Sequence, residues 1–535
     1  MTAWTEGYVA DIPYSLGFYR ETVPAHIAFA AVCVGKNPGL ALRPHRVLEL
    51  GFGMGLGFLI NAAANPEAHF EGVDFNPLHV AHARGLAEEA GLSNVSLREA
   101  SFQDLAHEAQ EGQHDLDLIV LHGILTWVSV EAQDAIIEIA RKRLKPGGLL
   151  YVSYNAMPGW AAVLPLQRLM RENAKRVAGR SDLQTSSGLD LVRALVGEGA
   201  AYFKANPALQ PRVEQMGKLD KNYLSHEYLN ANWFIFHFAD VAEMFGRAKL
   251  GFVGSATILE NIDALAVPEG VRARIGAESD PVFKETLRDI ASNKQFRRDL
   301  FARGVATPNA VEHNAMLGAM RFALATPRAK VSFKFPSPVG ELDGNAEIYG
   351  AVADLLAQGS ASFAEIAALP VFRQGGASAA LQTVSLLVHS GQVLPAPVRG
   401  PADPAIDAQP AQRFNRLLAA KMLQGRAYGF LAAPLAGSGL QVPQSELLIF
   451  AAVLETGGER AATAEAKGRG ETAELAPKVQ TVTDHVIQSL QRLGMSWMKE
   501  GKTIVDPDES QSVIQAEVEA FLTEKLPVWR QLGVY

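Results

Sequence analysis

Short apolar runs alternate with helical patterns along the first half of the chain. Runs of about four to eight apolar residues indicate buried strands, and apolar spacing near 3.6 residues indicates amphipathic helices. The predicted strands cover 47–50, 69–74, 95–100, 117–121 and 148–154, and the predicted helices cover 77–90 and 131–144 with another starting at 56. This alternation favours an α/β, Rossmann-like parallel sheet with helices on both faces.

The same pattern divides the chain into domains. A further helix at 240–249 and strand at 251–260 predict that the first domain covers 1–265, with a helical insertion at 160–230 that caps the substrate site. The N-terminal arm, residues 1–20, is rich in aromatic residues. We weigh two interpretations of the arm: a segment that only packs on the domain, and a lid over a ligand pocket.

The second half of the chain is predicted to be mainly α-helical. Residues 336–394 have the spacing of a small winged-helix-like domain, and 413–535 that of a C-terminal helical domain. A proline-rich stretch at 395–412 predicts a semi-rigid linker. Residues 456–477 are polar and predict a loop. We expect a basic helix face at 285–303, either ordinary solvated surface or a dock for an acidic protein.

The stretch RVLELGFGMG at 46–55 carries the strongest chemical signal. A strand there leads into a turn with Gly51, Gly53 and Gly55, and a helix follows. Such turns let a backbone approach a nucleotide-like ligand closely. Glu49 would repel a pyrophosphate but suits a ligand with an ammonium and a sulfonium. Asp74 ends the next strand, where a carboxylate takes ribose hydroxyls.

These residues resemble the class I S-adenosylmethionine (SAM) dependent methyltransferases. The segments YVADIPY (8–14), GVDFNP (72–77), LHGILTWV (121–128), YVSYNAMPGW (151–160) and HEYLNANWFIFHF (226–238) narrow the resemblance. They are similar to a bacterial branch with an added methyltransferase regulatory domain, which includes rickettsial protein-lysine methyltransferases acting on outer-membrane proteins. The resemblance implies SAM as cofactor, a protein lysine as acceptor, and a regulatory segment at 266–335. Two alternatives stay open: a small-molecule or glycan methyltransferase, and a non-catalytic SAM-binding regulatory protein.

The carboxyl ends of parallel strands, where ligands bind in such folds, select the candidate site residues. The candidates for cofactor binding are Glu49, Gly51, Gly53, Gly55, Asp74, Phe75, Ser101, Phe102 and His122. The catalytic candidates, as an aromatic collar and polar positioning groups, are Tyr14, His122, Trp127, Tyr154 and Asn155, and Trp160 is a further collar residue. Two positions depart from the class. An acidic residue that faces the adenine often follows the third strand in the class, but this chain has Ala100-Ser101-Phe102 there. Between the first two glycines, Phe52 replaces the small or sulfur-containing residue that is common in the class.

Composition limits the remaining possibilities. With 535 residues, 48% hydrophobic and 20% charged, the chain has the profile of a globular protein. A net charge of −8 argues against a nucleic-acid partner, and the single cysteine excludes an internal disulfide. Neither a signal peptide nor a membrane-spanning stretch is predicted, which favours a cytoplasmic protein. The histidine spacing implies no metal, and the oligomeric state stays open.

Overall fold

The computed structural model describes residues 4–400, 402–457, 471–499 and 502–535. Most of the predicted loop at 456–477 lies outside these ranges. Its last residues, from 471 onward, belong to a helix.

Five sheets contain the strands of the described residues. The strands are β1 (Arg46–Leu50), β2 (His69–Asp74), β3 (Val95–Glu99), β4 (Leu116–Leu121), β5 (Leu144–Asn155), β6 (Leu250–Ser255), β7 (Phe296–Arg303), β8 (Arg321–Leu324), β9 (Lys334–Ser337), β10 (Gly340–Asp343), β11 (Ala361–Ser362), β12 (Val393–Ala396), β13 (Phe430–Ala433), β14 (Ser438–Gln441), β15 (Met498–Lys499) and β16 (Lys502–Thr503).

Helices cover both faces of the largest sheet and form most of the second half. They are α1 (Pro24–Cys33), α2 (Leu56–Ala64), α3 (Pro77–Ala90), α4 (Phe102–Glu108), α5 (Val130–Arg143), α6 (Leu164–Ala174), α7 (Ser181–Gly197), α8 (Ala201–Ala205), α9 (Leu209–Met216), α10 (Lys221–Tyr228), α11 (Phe238–Gly246), α12 (Asp263–Ala266), α13 (Glu269–Ala277), α14 (Pro281–Ser292), α15 (Ala310–Ala319), α16 (Ala346–Ala357), α17 (Phe363–Ala367), α18 (Gly376–His389), α19 (Gln409–Met422), α20 (Gln444–Glu455), α21 (Glu471–Leu493), α22 (Pro507–Ala520) and α23 (Leu526–Gln531).

The largest sheet has seven strands in the order β3-β2-β1-β4-β5-β7-β6. The first five strands run parallel, as the alternation of strands and helices predicts. The central strand β4 is buried at every position because helices cover both of its faces. The Rossmann-like fold class is therefore confirmed.

The predicted domain end near residue 265 is wrong. Strand β7 lies between β5 and β6 and pairs antiparallel with both, so the sheet is complete only at Arg303. A chain that ended at 265 would leave the backbone of two strands unpaired. The predicted regulatory segment at 266–335 consequently supplies one strand of the first domain.

The expected basic helix face at 285–303 is also wrong, because helix α14 ends at Ser292 and Arg297, Arg298 and Arg303 lie on β7. The side chain of Arg297 is 3% exposed and forms ion pairs with Glu285, Asp289 and Asp299. Side chains of a strand alternate between faces, so neighbouring arginines do not form one surface. Arg297 is an internal ion-pair partner.

Helices α6 to α10 form the predicted helical insertion, and they have a small core of their own around Met170 and Leu189. The insertion stands above the carboxyl end of the sheet, where it meets β5 through Asn155 and Glu227. It therefore covers one side of the expected ligand site.

The predicted winged-helix-like domain begins earlier than residue 336. Its three-stranded sheet has the order β11-β8-β12, with β8 (Arg321–Leu324) in the centre. The described part of the predicted C-terminal helical domain at 413–535 has the expected helices and also contains two hairpins, β13–β14 and β15–β16.

No helix in the described part of the chain is long and apolar enough to cross a membrane.

The second half packs directly on the first domain. Helix α2 contacts the β13–β14 hairpin, and α19 contacts both α2 and α3. His82 on α3 donates from Nδ1 to the carbonyl of Met54 at 2.7 Å, and its Nε2 lies 3.3 Å from the hydroxyl of Tyr428. His82 thus links the glycine turn to Tyr428 of the C-terminal domain.

Candidate functional site

A deep cleft opens at the carboxyl ends of β1, β2 and β4. We call it the glycine cleft, and it has an empty volume of about 950 Å³. The sequence-predicted residues that line it are Glu49, Gly51, Gly53, Gly55, Asp74, Phe75, Phe102 and His122, together with Tyr14 and Trp127. The structure therefore brings together nearly all the residues predicted to bind a cofactor.

Gly53 and Gly55 of the turn must be glycine for different structural reasons. Gly53 has a φ of +57°, and a Cβ there would meet only the Tyr14 ring at 3.8 Å. Gly55 has a φ of +79°, and a Cβ would lie 2.5 Å from the Cβ of Ala83 on α3. Gly53 thus leaves room toward the cleft, whereas Gly55 allows close helix packing.

The carboxylate of Asp74 organises the floor of the cleft. One oxygen accepts a hydrogen bond from the backbone N–H of Gly53 at 2.9 Å, and the other accepts from Asn76 at 2.9 Å. The second oxygen also lies 3.2 Å from Nδ1 of His79. A carboxylate offers about four lone-pair positions, so acceptor capacity remains for ligand hydroxyls.

Glu49 and His79 give the cleft its polarity. Burial, together with the nearby charge of Asp74, raises the pKa of Glu49 to about 8. The Nε2 atom of His79 is buried and has no hydrogen-bond partner among the described residues. A ligand with cationic groups and hydroxyls would stabilise the ionised carboxylates and satisfy unpaired polar atoms.

An outer slot with an empty volume of about 510 Å³ extends the glycine cleft between Phe75, Phe102 and Trp127. Trp4 and Tyr8 of the N-terminal arm each contact the Phe75 ring, with centroids 5.8 Å apart. Flat apolar walls of this kind suit a planar base.

Ser101 lines this outer slot and not the glycine cleft. Its hydroxyl caps helix α4, since it accepts from the N–H of Asp104 at 3.0 Å and donates to that carboxylate at 2.7 Å. The predicted role of Ser101 in cofactor binding stays a prediction.

The N-terminal arm lies across the glycine cleft and is tied to the insertion. The backbone N–H of Val9 donates to Asn230 at 2.8 Å, and the hydroxyl of Ser181 donates to Asp11 at 2.7 Å. Because Tyr8 and Tyr14 form part of the cleft wall, the arm covers the ligand site. Sequence reasoning missed the connection between Asp11 and Ser181, which are far apart in the chain.

A second chamber lies between the strand ends and the insertion helices. We call it the insertion chamber, and it has an empty volume of about 1300 Å³. Five residues line both this chamber and the glycine cleft, namely Tyr14, Tyr19, His122, Gly123 and Trp127. Four of the five carry rings (Tyr14, Tyr19, His122 and Trp127), and we call these four the aromatic neck.

His122 is held firmly within the aromatic neck. Its Nδ1 lies 2.8 Å from the hydroxyl of Tyr151 and 3.2 Å from that of Ser153, and its ring stacks on Tyr19 at 3.8 Å. Burial, together with the charge of Arg298, lowers the pKa of His122 to about 3. The ring is therefore neutral at physiological pH and is suited to positioning its neighbours.

The other predicted collar residues line the insertion chamber. The hydroxyl of Tyr154 donates to Asp299 at 2.6 Å. Because Asp299 also accepts from the buried Arg297, the hydroxyl of Tyr154 points toward these ion pairs. The indole of Trp160 donates to the carbonyl of Gln295 at 2.7 Å, and the Arg212 guanidinium stacks 4.0 Å above its ring.

Asn155 donates from Nδ2 to the carboxylate of Glu227 at 3.1 Å. Sequence reasoning missed Glu227 as a site residue. It lies inside the segment HEYLNANWFIFHF, so the resemblance over that segment was the available signal.

Comparison with known proteins shows the family of this chain. Residues 44–204 match the family described as a methyltransferase domain, and residues 220–303 match the one described as a predicted methyltransferase regulatory domain. The Synechocystis protein sll1526 is 32% identical over 99% of both chains. The chain belongs to the SAM-dependent methyltransferases that carry a methyltransferase regulatory domain. Its cofactor is accordingly S-adenosylmethionine.

Rickettsial proteins are also similar to this methyltransferase. The Rickettsia prowazekii protein RP789 is 27% identical over 54% of this chain and 51% of its own. The structure of PKMT2 from Rickettsia typhi in complex with AdoHcy aligns over 96% of this chain and 99% of that one, with a TM-score of 0.67 and 20% identity. The fold is therefore shared over nearly the full length.

Proposed function

We propose that this methyltransferase transfers methyl groups from SAM to lysine side chains of a protein. The observation that carries the proposal is the aromatic neck, because it joins the glycine cleft to a second, larger chamber. A methyl donor and its acceptor must meet at such a junction from opposite sides, since displacement at carbon requires an in-line approach.

The residues of the glycine cleft fit the cofactor. Asp74 and His79 face the position expected for ribose hydroxyls, Phe75 and Phe102 form a slot for the base, and Glu49 suits the cationic end. When bound, SAM supplies an electrophilic methyl group whose bond to sulfur breaks as the nucleophile forms its bond to carbon. The chain holds the partners, shields them from water and presents aromatic faces to positive charge.

An amine acceptor agrees with the surroundings of the neck. A lysine amine has a reference pKa of about 10.4 and must lose a proton before it can attack. Removal of the amine from water inside the neck disfavours the charged form and so lowers that pKa. The neutral His122 keeps a further positive charge away from the amine.

A protein acceptor agrees with the shape of the site. The insertion chamber is large enough for an extended side chain, and its outer walls include exposed residues of α9, of α10 and of the turn between them, namely Gln215, Tyr223 and Leu219. The sequence resemblance to rickettsial protein-lysine methyltransferases and the full-length similarity to PKMT2 support the same acceptor class.

The test is transfer of label from SAM to material from the organism's own lysate. We expect label in the protein fraction, recovered after digestion as N-methylated lysine and identified by mass spectrometry. Gly53→Val should abolish transfer because the side chain strains a φ of +57° and enters the cofactor cleft.

Gly85→Val is the matched control for that variant, because nothing lies within 4 Å of a Cβ at Gly85. Label found in glycans or small molecules, or no transfer by a folded protein that binds SAM, would refute the lysine assignment.

A further inference from the structure

Glu227 places a carboxylate on the wall of the insertion chamber. It lies on helix α10 (Lys221–Tyr228), the last helix of the insertion. One of its oxygens accepts a hydrogen bond from Nδ2 of Asn155, at the end of β5. This hydrogen bond fixes the carboxylate, which belongs to the insertion, to the end of a strand of the large sheet.

This carboxylate forms no ion pair with any other described residue. Among the described residues, no lysine, arginine or histidine forms an ion pair with Glu227 within 4.0 Å. The nearby Arg212 is engaged elsewhere, since its guanidinium stacks on Trp160 at 4.0 Å and its Nε lies 3.4 Å from the hydroxyl of Tyr228. A partly buried carboxylate beside a cavity, with no cation of its own, is costly unless a ligand supplies one.

We propose that Glu227 binds the ammonium group of the acceptor and accepts its proton. The inference rests on the proposed function, and it assigns to one residue both recognition of the amine and its activation. In this step an N–H bond of the ammonium breaks, an O–H bond forms on the carboxylate, and the nitrogen keeps the electron pair. The resulting neutral amine then has the lone pair that attacks the methyl carbon.

The groups around Glu227 agree with that role. Burial raises its pKa to about 7, against the hydrogen bond from Asn155, the charge of Arg212 and the hydrogen bond with Tyr223. Tyr14 of the arm also faces it across the chamber. The raised pKa reduces the difference from the amine, so the carboxylate is a better proton acceptor than one in water.

The same geometry gives selectivity for amines. An alcohol brings no positive charge, so it can only donate a hydrogen bond to the carboxylate of Glu227. An ammonium also donates a hydrogen bond and adds the attraction between opposite charges, which is stronger in a site shielded from water than in bulk solvent. We therefore expect amine acceptors to depend on Glu227 and hydroxyl ligands to be insensitive to it.

Binding of a small probe tests recognition without turnover. In full-length protein saturated with S-adenosylhomocysteine, n-butylammonium chloride represents the end of a lysine side chain and n-butanol is its neutral counterpart. Glu227→Gln should weaken n-butylammonium binding at least tenfold at pH 8, measured by calorimetry, and should leave n-butanol binding unchanged.

The pH dependence adds a readout that a purely structural role would not change. Below about pH 7 a growing fraction of Glu227 is protonated, so wild-type affinity for n-butylammonium should fall about tenfold per pH unit. In Glu227→Gln the affinity should be flat over that range. The exposed Glu214→Gln, on helix α9 of the same insertion, is the matched control and should behave as wild type.

Turnover separates failure of this inference from failure of the proposed function. If wild type methylates no lysine in the lysate, the proposed function fails whatever Glu227 does. If wild type methylates lysine and Glu227→Gln keeps the same kcat/KM and pH profile while binding SAM normally, the role of Glu227 is refuted. A loss of kcat/KM of at least tenfold with normal SAM binding supports it.

Discussion

Glu49→Gln tests the electrostatics of the cofactor cleft in two independent ways. Burial and Asp74 raise the pKa of Glu49 from 4.5 to about 8. Between these values the folded chain holds a proton that the unfolded chain has lost. The folded state therefore binds more protons, and its stability falls as the pH rises through that window.

The size of the effect follows from the same two pKa values. Relative to a permanently neutral side chain, Glu49 destabilises the fold by about 1 kcal/mol at pH 5 and about 4 kcal/mol at pH 8. Glutamine removes this pH-dependent cost. The stability advantage of Glu49→Gln over wild type should accordingly grow by about 3 kcal/mol from pH 5 to pH 8, as measured by urea unfolding.

Folding favours the protonated form of Glu49, whereas binding of SAM should favour its ionised form. At pH 7 about nine-tenths of Glu49 is protonated in the free protein, and the cationic cofactor favours the ionised form. Wild-type affinity should therefore rise about tenfold relative to Glu49→Gln between pH 7 and pH 9. The amino group of SAM titrates equally in both proteins, so the ratio of affinities isolates Glu49.

The assay is calorimetry of SAM binding in buffers with different heats of ionisation. Wild type should release close to one proton at pH 7 beyond that released by the variant. Glu88→Gln, an exposed glutamate on α3, is the matched control and should match wild type in both experiments. Parallel stability curves and equal proton release for wild type and Glu49→Gln would refute the assigned protonation state.

Three further predictions concern the framework of the site. Arg297→Met should lower the free energy of unfolding by about 3–5 kcal/mol, because it leaves buried carboxylates without their cation. Chemical denaturation measures this change. The control is Arg168→Met: Arg168 is exposed, its ion-pair partner lies one helical turn away, and its loss should cost less than about 1 kcal/mol. A chain that ends at residue 265 should show no cooperative thermal unfolding by circular dichroism, because it lacks β7, and a sharp transition would contradict this. In hydrogen exchange, arm residues 5–19 should become protected on addition of S-adenosylhomocysteine while helix α16 stays unchanged; full protection without ligand would instead indicate an arm that only packs.

The region described as regulatory is structurally part of the methyltransferase. Residues 220–303 contain helix α10, which carries Glu227, and the strands β6 and β7 that complete the sheet. A segment that supplies both a wall of the insertion chamber and two strands cannot act as a separable module. Any influence it has on activity is exerted from within the site.

The sequence by itself determined the local framework of the cofactor cleft. Strand β2 (His69–Asp74) and helix α3 (Pro77–Ala90) begin and end where the pattern predicts. Periodicity, the proline at the first helical position and the glycine after the last one are local signals, so they need no tertiary context. The glycine turn and Asp74 also follow from one strand–turn–helix unit and its neighbour, and the structure places them together.

Tertiary structure alone decided the features that depend on distant pairing. The segment FRRDLFAR could be a helix or a strand by composition, and it became β7 because β5 and β6 leave a gap with unpaired backbone between them. Asn155 and Glu227 are 72 positions apart, and their hydrogen bond exists only because the insertion folds back over the sheet. No local pattern encodes such a contact, since it is set by how preformed elements bury their apolar faces against one another.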